Sequence, residues 1–250
     1  MGLDGQSIII TGASSGIGAA AARLFAKAGA KLVLGARRAD RIRQLADEIV
    51  KQGGTAVWLD GDVGDEGYAA GLVDLAVTSH GGLDGAFNNA GTTGDLSPVH
   101  EMETRNWDTV IATNLTSAYY AAKYQIPAIE RRGGGAVVFT SSFVGPASAG
   151  LPGMAAYAAS KAGLVGLVRS LAVDHGPGGI RINALLPGGT ITAMAGDDPD
   201  VHEYIAGLHP LQRMATPDEI AETAMFLLSD QSSFITGSAL FADGGVSVRL

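Results

Sequence analysis

The strongest constraint on the fold is the alternation of short apolar, β-branched segments with longer helical segments along almost the whole chain. The strand-like segments are 7–11, 31–36, 55–60, 83–89, 135–142, 180–187 and 238–245; helices are predicted at 17–28, 39–54, 66–79, within 104–131, and at 154–174 and 217–229. Each strand segment is nearly continuously apolar, as expected when helices cover both faces of a parallel sheet. The alternation therefore predicts an α/β fold built on one doubly wound parallel sheet.

Residues 188–216 depart from this regular pattern. They lie between a strand and a helix, are too long for an ordinary connection, and contain Asp197, Asp198 and Asp200. Long connections in compact domains are often lids or binding loops, although a solvated acidic excursion would have the same composition. No linker-like segment or internal repeat divides the chain. We therefore expect one domain over residues 1–250, with 188–216 as a lid on the substrate side.

Composition excludes several classes of function. The net charge of −8, with no basic block, makes nucleic acid an unsuitable partner. The absence of cysteine excludes disulfides, thiolate catalysis and cysteine metal sites, and it fits a reducing compartment. The N-terminal segment lacks a basic region, and no apolar segment approaches the length of a membrane span. We expect a soluble, cytoplasmic protein with no membrane partner and no metal site.

The stretch "TGASSGIG" after the first strand matches two motifs at once. It contains G-x-S-x-G, the nucleophile elbow of serine hydrolases, in which Ser14 would attack a carbonyl. It is also a glycine-rich turn between a strand and a helix, which suits a dinucleotide phosphate. In the second interpretation Gly12 permits the tight turn, while Gly16 and Gly18 allow close approach of the ligand and of the helix. Both interpretations predict strand, turn and helix, so the local sequence does not decide.

The position of this turn in the chain favours the phosphate interpretation. Backbone N–H groups and a helix N-terminus at the carboxyl end of the first strand are a favourable place for phosphate. A hydrolase would need an acid and then a histidine later in the chain, each after a strand. None of the five histidines fits that arrangement; they are His80, His100, His175, His202 and His209. The hydrolase remains a weaker alternative.

A second group of residues lies farther along the chain. The sequence "YAASK" places Tyr157 and Lys161 one helical turn apart on the same face. Upstream, the segment 135–142 ends at Ser141 and Ser142, so their hydroxyls reach the carboxyl edge of the sheet. Each of these residues alone also has a purely structural explanation: Tyr157 as a core residue, Lys161 as a surface lysine, and the two serines as turn formers. Their convergence at one end of one sheet, beside a phosphate turn, indicates a catalytic site.

Taken together, these motifs resemble the short-chain dehydrogenase/reductase family of the single-domain type, over essentially the whole chain. The matching segments are "TGASSGIG", "DV" at 62–63, "NNAG" at 88–91, "ATNL", "SFVG", "YAASK", "PGGTIT" at 187–192 and "DGG" at 243–245. The resemblance implies a Rossmann-like fold and an oxidoreductase that acts on secondary alcohols and ketones. It also implies a homo-oligomer, tetramer or dimer, formed through helices 104–131 and 154–174.

The resemblance implies four catalytic residues. Tyr157 is the general acid–base. A free phenol has a pKa of ~10, which is too high for proton exchange at neutral pH, so a nearby cation is needed to stabilise the phenolate. Lys161 provides that cation and binds the nicotinamide ribose, and Ser142 holds the substrate oxygen. Asn114 positions a water for proton relay, although an ordinary polar helix residue is the alternative. Ser142 precedes "FVG" and matches better than Ser141, although fourteen residues separate it from Tyr157, slightly more than the family pattern.

The resemblance also implies a set of cofactor-binding residues. The phosphate turn contributes its backbone together with the hydroxyls of Ser14 and Ser15. The expected contacts are Gly12, Ser14, Ser15, Gly16, Ile17 and Gly18 at the phosphates, Asp62 and Val63 at adenine, Asn89, Ala90 and Gly91 at the adenosine ribose, and Pro187, Gly188, Thr190 and Thr192 around nicotinamide, beside Tyr157 and Lys161. Asp62 has a competing explanation as a helix N-cap.

The end of the second strand predicts the choice of cofactor. Members that prefer NAD carry an acid at this point for the ribose diol, and this chain has Ala36 there, followed by Arg37 and Arg38. Guanidinium groups suit a 2′-phosphate through bidentate hydrogen bonds. Two solvated arginines at a helix start are the alternative. We expect NADP, with NAD less favoured.

The substrate is a small-molecule carbonyl compound or alcohol whose identity the sequence does not give. Residues 143–153 and 188–216 would shape its compartment. Phe143, Met154, Met194 and Tyr204 form an apolar wall in one interpretation and belong to the core in the other. The alternative function is a catalytically silent NADP-binding regulatory or scaffold protein, against which the complete set of catalytic residues argues.

Overall fold

The computed structural model describes residues 2–146 and 150–249. Within them, the strands are β1 (Ser7–Thr11), β2 (Lys31–Ala36), β3 (Thr55–Asp60), β4 (Gly85–Asn88), β5 (Gly135–Thr140), β6 (Ile180–Pro187) and β7 (Ala239–Ala242). The helices are α1 (Gly16–Lys27), α2 (Ala39–Lys51), α3 (Glu66–His80), α4 (Thr104–Ile111), α5 (Ser117–Glu130), α6 (Ala155–His175), α7 (Pro199–Leu208), α8 (Pro217–Leu228) and α9 (Val246–Arg249). The strands form one parallel sheet in the order β3-β2-β1-β4-β5-β6-β7, which confirms the predicted doubly wound fold.

The central strand β1 contributes to both hydrophobic layers of the protein. Ile8 and Ile10 pack with α1, α2 and α8 on one face, whereas Ile9 packs with α3, α5 and α6 on the other. All three side chains are completely buried. Neighbouring side chains of a strand point to opposite faces, so coverage on both sides requires an uninterrupted apolar run. Each such burial stabilises the fold by roughly 1.5–3 kcal/mol, which gives the site a rigid base.

The order of strands in the sheet runs outward from β1 in two directions, through β2 to β3 on one side and through β4 to β7 on the other. Ile8 of β1 is aligned with Leu32 of β2 on one side and with Gly85 of β4 on the other. The connections that leave β1 and β4 therefore diverge to opposite faces of the sheet. Ligands of open α/β sheets bind in the crevice that this divergence opens at the carboxyl ends of the strands.

The predicted long helix within 104–131 is divided into three parts. A π-helical turn, Ala112–Thr116, separates α4 from α5, and Asn114 lies on that turn. One extra residue in a single turn hardly changes the apolar period, so the sequence pattern does not reveal it. Such π-turns are frequent at functional sites.

The strand predicted at 135–142 ends two residues early, at Thr140. Ser141 and Ser142 follow as a loop that stays beside β6, because the Ser141 N–H donates to the Leu185 carbonyl at 2.7 Å and the Phe143 N–H to Pro187 at 3.2 Å. Ser141 and Ser142 therefore lie outside the strand, and the alternation of side chains along a strand does not decide which of them faces the cleft. Their side chains are directed by this loop instead.

The segment 188–216 contains structure of its own. It includes a 3-10 turn, Ala193–Ala195, and helix α7, and its two ends lie side by side because Ile191 N–H donates to the Ala215 carbonyl at 2.9 Å. Asp198 caps α7 by accepting from the Asp200 N–H. The acidic residues thus belong in part to a helix start. Helix α9 was not predicted, since four residues carry no readable period.

Among the described residues, no helix combines the length and the apolar character that crossing a membrane requires.

Candidate active site

A cleft of about 710 Å³ opens at the carboxyl edge of the sheet. Its walls come from the segments that follow β1 to β6, and from residues of α6, α7 and the loops beside them. This volume lies within the range of cofactor and substrate sites, about 300–1,000 Å³. Nineteen of the sequence-predicted site residues line it: Gly12, Ser14, Ser15, Gly16, Ile17, Arg37, Arg38, Asp62, Val63, Asn89, Ala90, Gly91, Ser142, Tyr157, Lys161, Pro187, Gly188, Thr190 and Thr192. Gly18 and Asn114 lie behind the surface of the cleft.

The glycine-rich turn after β1 is built for close approach of backbone. Gly12 has a φ of +68°, and a Cβ there would lie 3.0 Å from the Ala90 Cα. Gly16 has a φ of +53°, and a Cβ there would lie 3.0 Å from the Thr192 Cγ2. A Cβ on Gly18 would collide with the Gly12 carbonyl. The turn therefore excludes side chains at all three positions.

Helix α1 begins at this turn without a side-chain cap. Ser15 occupies the N-cap position and its hydroxyl accepts no hydrogen bond from the first turn of the helix. The N–H groups of that turn, and the positive end of the helix dipole, are therefore available to an anion. This arrangement fits a phosphate group at the start of α1.

Arg38 lies over the same turn, although it follows β2. Its Nη2 donates to the Ser14 Oγ at 2.8 Å and to the Ser15 Oγ at 2.7 Å, and its Nε donates to the Ser14 Oγ at 3.1 Å. Arg37 also lines the cleft, and both arginines are exposed. Ala36 offers only a methyl group where a carboxylate would otherwise accept a ribose diol. The end of β2 thus presents cations and no side-chain acceptor.

The segments after β3 and β4 form the next part of the wall. The Asp62 carboxylate accepts from the Gly64 N–H at 2.9 Å, whereas Asp65 caps α3, so the competing N-cap explanation for Asp62 is wrong. The Thr11 hydroxyl accepts from the N–H groups of Asn89 and Ala90, at 3.1 and 3.2 Å. This contact fixes the β4 loop against β1.

Lys161 is buried at the base of the cleft, one turn beyond Tyr157 on α6. Its Nζ donates to the Thr140 carbonyl at 2.7 Å and lies 5.6 Å from the centre of the Tyr157 ring. The side chain is 3% exposed, and burial lowers the pKa of the ammonium to about 8. A cation is therefore held close to the phenol, at a cost in solvation.

Ser142 is the serine that reaches the phenol. Its hydroxyl hydrogen-bonds to Tyr157 and accepts from the Val144 N–H at 3.1 Å. Burial raises the pKa of Tyr157, and the Ser142 hydrogen bond acts in the opposite direction. Ser141 instead donates to the Lys161 carbonyl at 2.9 Å and so points into α6. The loop geometry distinguishes the two neighbours where sequence spacing alone did not.

Asn114 links the π-turn to the residues around Lys161, on the side away from the cleft. Its side chain accepts from the Thr92 N–H and donates to the Thr92 carbonyl, both at 2.9 Å, and also donates to the Ser160 hydroxyl at 3.0 Å. A Cβ on Gly91 would lie 3.3 Å from the Asn114 Oδ1 and 3.4 Å from the Lys161 Nζ. Asn114 therefore braces the segment that lies against the lysine, and it does not face the cleft directly.

The turn after β6 forms the opposite wall. The Gly188 N–H donates to the Ala242 carbonyl at 3.0 Å, and the Thr190 hydroxyl donates to the Gly188 carbonyl at 3.0 Å. Sequence analysis missed one residue behind this turn, His209, whose Nε2 accepts from the Gly189 N–H at 2.9 Å. The only signal in the sequence was its place within 188–216, which does not distinguish it from His202.

The remaining part of the cleft is apolar. The four residues with an ambiguous sequence assignment, Phe143, Met154, Met194 and Tyr204, all line it, and so do Val144, Leu151, Ile205, Leu208 and Met214. Among the described lining residues, the only basic side chains are Arg37, Arg38 and Lys161. The apolar compartment therefore offers no cation to an anionic substrate. Residues 147–149 of the segment 143–153, which is expected to shape the substrate compartment, lie outside the described residues.

Comparison with known proteins places these features in a family. A family model described as enoyl-(acyl carrier protein) reductase matches residues 12–247. A cis-4-hydroxycyclohexanecarboxylate dehydrogenase of Sinomonas cyclohexanicum is 41% identical over 95% of this chain and 94% of that protein. The chain belongs to the short-chain dehydrogenase/reductase family. A cyclohexanol dehydrogenase of an Acinetobacter species is 36% identical over 96% of the chain and 94% of its own length.

Solved structures agree with this assignment. The crystal structure of levodione reductase matches with a TM-score of 0.93 at 31% identity and covers 99% of both chains. The predicted family and the Rossmann-like fold are thus confirmed. The relatives identify an oxidoreductase that acts on CH–OH groups, and the family implies a nicotinamide cofactor. The exclusion of side chains from the glycine turn and the uncapped start of α1 fit the phosphates of such a dinucleotide.

Proposed function

We propose that the protein is an NADP(H)-dependent oxidoreductase that interconverts ketones and secondary alcohols, with Tyr157 as the general acid–base. The observation that carries the proposal is the contact of Ser142, Tyr157 and Lys161 in the wall of the cleft that begins at the glycine turn. NADP(H), when bound, donates hydride to the carbonyl carbon or accepts it from the alcohol carbon. All other chemistry belongs to the protein's side chains.

In the reductive direction, the protein supplies the proton. The Ser142 hydroxyl donates a hydrogen bond to the substrate oxygen and holds it beside the phenol. As negative charge develops on that oxygen, the Tyr157 O–H transfers its proton and leaves a phenolate. The Lys161 ammonium, close to the Tyr157 ring, stabilises the phenolate. The raised pKa of Tyr157 in the free protein keeps the phenol protonated at neutral pH, as a proton donor requires.

The preference for NADP over NAD is supported by the end of β2. Arg38 is held over the phosphate turn by two serine hydroxyls, and Arg37 lies beside it in the cleft. A guanidinium there binds a 2′-phosphate through charge-assisted hydrogen bonds. Ala36 gives a ribose diol no side-chain acceptor. The neutral serine partners of Arg38 also leave its charge uncompensated until a phosphate arrives.

The apolar compartment supports an uncharged alicyclic substrate. Phe143, Leu151, Met154, Tyr204 and Leu208 line it, and Leu151, Met154 and Leu208 pack in one cluster with Phe143. Two of the relatives are named for cyclohexanol and for a hydroxycyclohexanecarboxylate. The basic side chains among the described lining residues are Arg37 and Arg38 at the end of β2, and Lys161, whose Nζ donates to the Thr140 carbonyl. A carboxylate among the apolar residues would therefore lack a free basic partner. We therefore propose a neutral ring ketone or ring alcohol.

A parallel assay with NADPH and NADH tests the proposal. Absorbance at the nicotinamide band is followed with cyclohexanone, with 4-oxocyclohexanecarboxylate as its charged counterpart, with a linear ketone and with an enoyl thioester. We expect turnover of cyclohexanone with NADPH, a lower kcat/KM with NADH, and a lower kcat/KM for the carboxylate.

Each contrary result has a defined meaning. Binding of NADPH without turnover of any ketone or alcohol would favour the silent regulatory protein. Turnover of the enoyl thioester alone would contradict the ketone assignment. Equal kcat/KM values for cyclohexanone and 4-oxocyclohexanecarboxylate would contradict only the proposal that the substrate is uncharged.

A further inference from the structure

His209 lies at the junction of three parts of the protein. It follows α7, it faces the turn after β6, and it touches the turn after β7, where a Cβ on Gly244 would lie 3.3 Å from its Cδ2. Its side chain is 2% exposed. The edge of its ring faces Phe143 of the apolar compartment, with 6.3 Å between the ring centres. A buried imidazole in this position is not used by the chemistry proposed above.

The hydrogen-bond partners of His209 assign one state of the ring. Nδ1 lies 2.7 Å from the Ile205 carbonyl, which only accepts, so Nδ1 carries the proton. Nε2 lies 2.9 Å from the Gly189 N–H, which only donates, so Nε2 must accept. These two contacts together require the neutral Nδ1–H tautomer. The ring therefore connects the last turn of α7 to the backbone of the β6 turn.

The same ring accounts for the two glycines of that turn. A Cβ on Gly188 would lie 2.7 Å from the His209 Nε2 and 2.8 Å from the Asp243 Cα. A Cβ on Gly189 would lie 2.9 Å from the His209 Cε1 and would collide with the Ile205 side chain. The backbone of the turn thus packs directly against the imidazole. Thr190, the residue after Gly189, lines the cleft, so the imidazole supports the backbone directly behind the cleft wall.

We propose that His209 is a positioning residue that holds the turn 187–190 in the conformation that binds the nicotinamide half of the cofactor. The inference rests on the proposed function, since it assigns this turn to nicotinamide. The acceptor Nε2 is the essential feature, because without it the partly buried Gly189 N–H loses its partner and the turn relaxes. The adenosine half is assigned to the segments after β1, β2, β3 and β4, and the contacts of His209 with Gly189, Ile205 and Phe143 include none of these.

Two variants of His209 distinguish the contribution of the Nε2 acceptor from that of the Nδ1 donor. His209→Gln places an amide oxygen at about the reach of Nε2, so it keeps the acceptor for Gly189. His209→Asn places its amide near Nδ1, so it keeps the link to Ile205 and loses the acceptor. For each variant, dissociation constants are measured by calorimetry for NADPH and for adenosine 2′,5′-bisphosphate, which lacks nicotinamide.

The expected result is selective. His209→Asn should weaken NADPH binding roughly tenfold, the usual cost of one partly buried donor that loses its partner, and leave the bisphosphate within about twofold. His209→Gln should keep both ligands within about threefold of the wild type, a difference below 1 kcal/mol by the same conversion. Equal weakening of both ligands by the Asn variant, or no weakening of either, would overturn the proposal.

Two controls keep the test decisive. Failure of the wild type to bind either ligand would contradict the proposed function rather than the role of His209. Because the Asn variant can fail to fold, the ¹⁵N NMR spectrum of histidine in the wild type provides an independent measurement. The Nδ1–H tautomer of His209 is the expected state, and the Nε2–H tautomer or the imidazolium at neutral pH would overturn the proposal.

Discussion

Replacing Arg38 with alanine should reduce the affinity for NADPH and leave that for NADH nearly unchanged. The guanidinium donates three hydrogen bonds to the Ser14 and Ser15 hydroxyls, which are neutral acceptors. A 2′-phosphate arriving at the end of β2 would replace them with charge-assisted hydrogen bonds. NADH carries no group at this position, so it gains nothing from the arginine.

The expected magnitude follows from the type of interaction. A hydrogen bond to a charged group contributes roughly 1.5–3 kcal/mol net, and about 1.4 kcal/mol corresponds to a factor of ten in affinity. Arg38 is exposed, so solvent and salt screen its charge and the lower part of that range applies. The loss for Arg38→Ala should therefore be about tenfold, and about a hundredfold at most, for NADPH.

Fluorescence titration of both cofactors against matched variants measures this difference. Arg37→Ala reports the contribution of the second guanidinium, and Ala36→Asp should shift the preference further toward NADH by repelling the phosphate and accepting from the ribose diol. Raising the salt concentration should weaken NADPH more than NADH. The explanation of cofactor choice is refuted if the wild type prefers NADH, or if Arg38→Ala weakens both cofactors equally.

Two further predictions concern stability and assembly. Burial lowers the pKa of Lys161 to about 8, against about 10.5 in the unfolded chain. Burying the charged ammonium therefore costs stability below pH 8, and this cost decreases as the pH rises above 8. Urea unfolding should thus show the wild type gaining up to about 2 kcal/mol relative to Lys161→Met between pH 8 and 10; a constant difference would contradict the buried charge. A homo-oligomer, dimer or tetramer, stays a prediction, supported by the small exposed residues Ala159, Ala162 and Gly166 on α6. Gly166→Arg, where a Cβ meets open space, should give a smaller species in light scattering, and a monomeric wild type would refute the oligomer.

Features that depend on local pattern could be predicted from the sequence. The bounds of β2, β3 and β6 agree with the apolar runs from which they were predicted. The runs of β2 and β6 are almost fully buried, whereas that of the edge strand β3 is only partly buried. The glycines of the phosphate turn follow from the need for positive φ and close approach. The residues that follow β1 to β6 converge on one cleft because these strands are parallel.

Features that depend on contacts between distant segments could not be predicted. The π-turn around Asn114 is stabilised by Thr92 and Ser160, which no helical period reveals. The placement of Arg38 over Ser14 joins loops from two different strands. The sequence does not distinguish His209 from His202 within 188–216, and only the folded segment buries His209 against Gly189. The assignment of Ser142 rather than Ser141 likewise depends on how the loop after β5 runs beside β6.

The most direct test of the proposed mechanism is the kcat of Tyr157→Phe, measured together with its NADPH dissociation constant. The substitution removes the phenolic hydroxyl, and with it the transferable proton and the hydrogen bond to Ser142. The kcat for ketone reduction should therefore fall by at least about a hundredfold, while NADPH binding stays within about threefold. Tyr119→Phe, on an exposed side chain of α5 away from the cleft, is the matched control and should behave as the wild type. A Tyr157→Phe enzyme that keeps the wild-type kcat would contradict the assignment of Tyr157 as the proton donor.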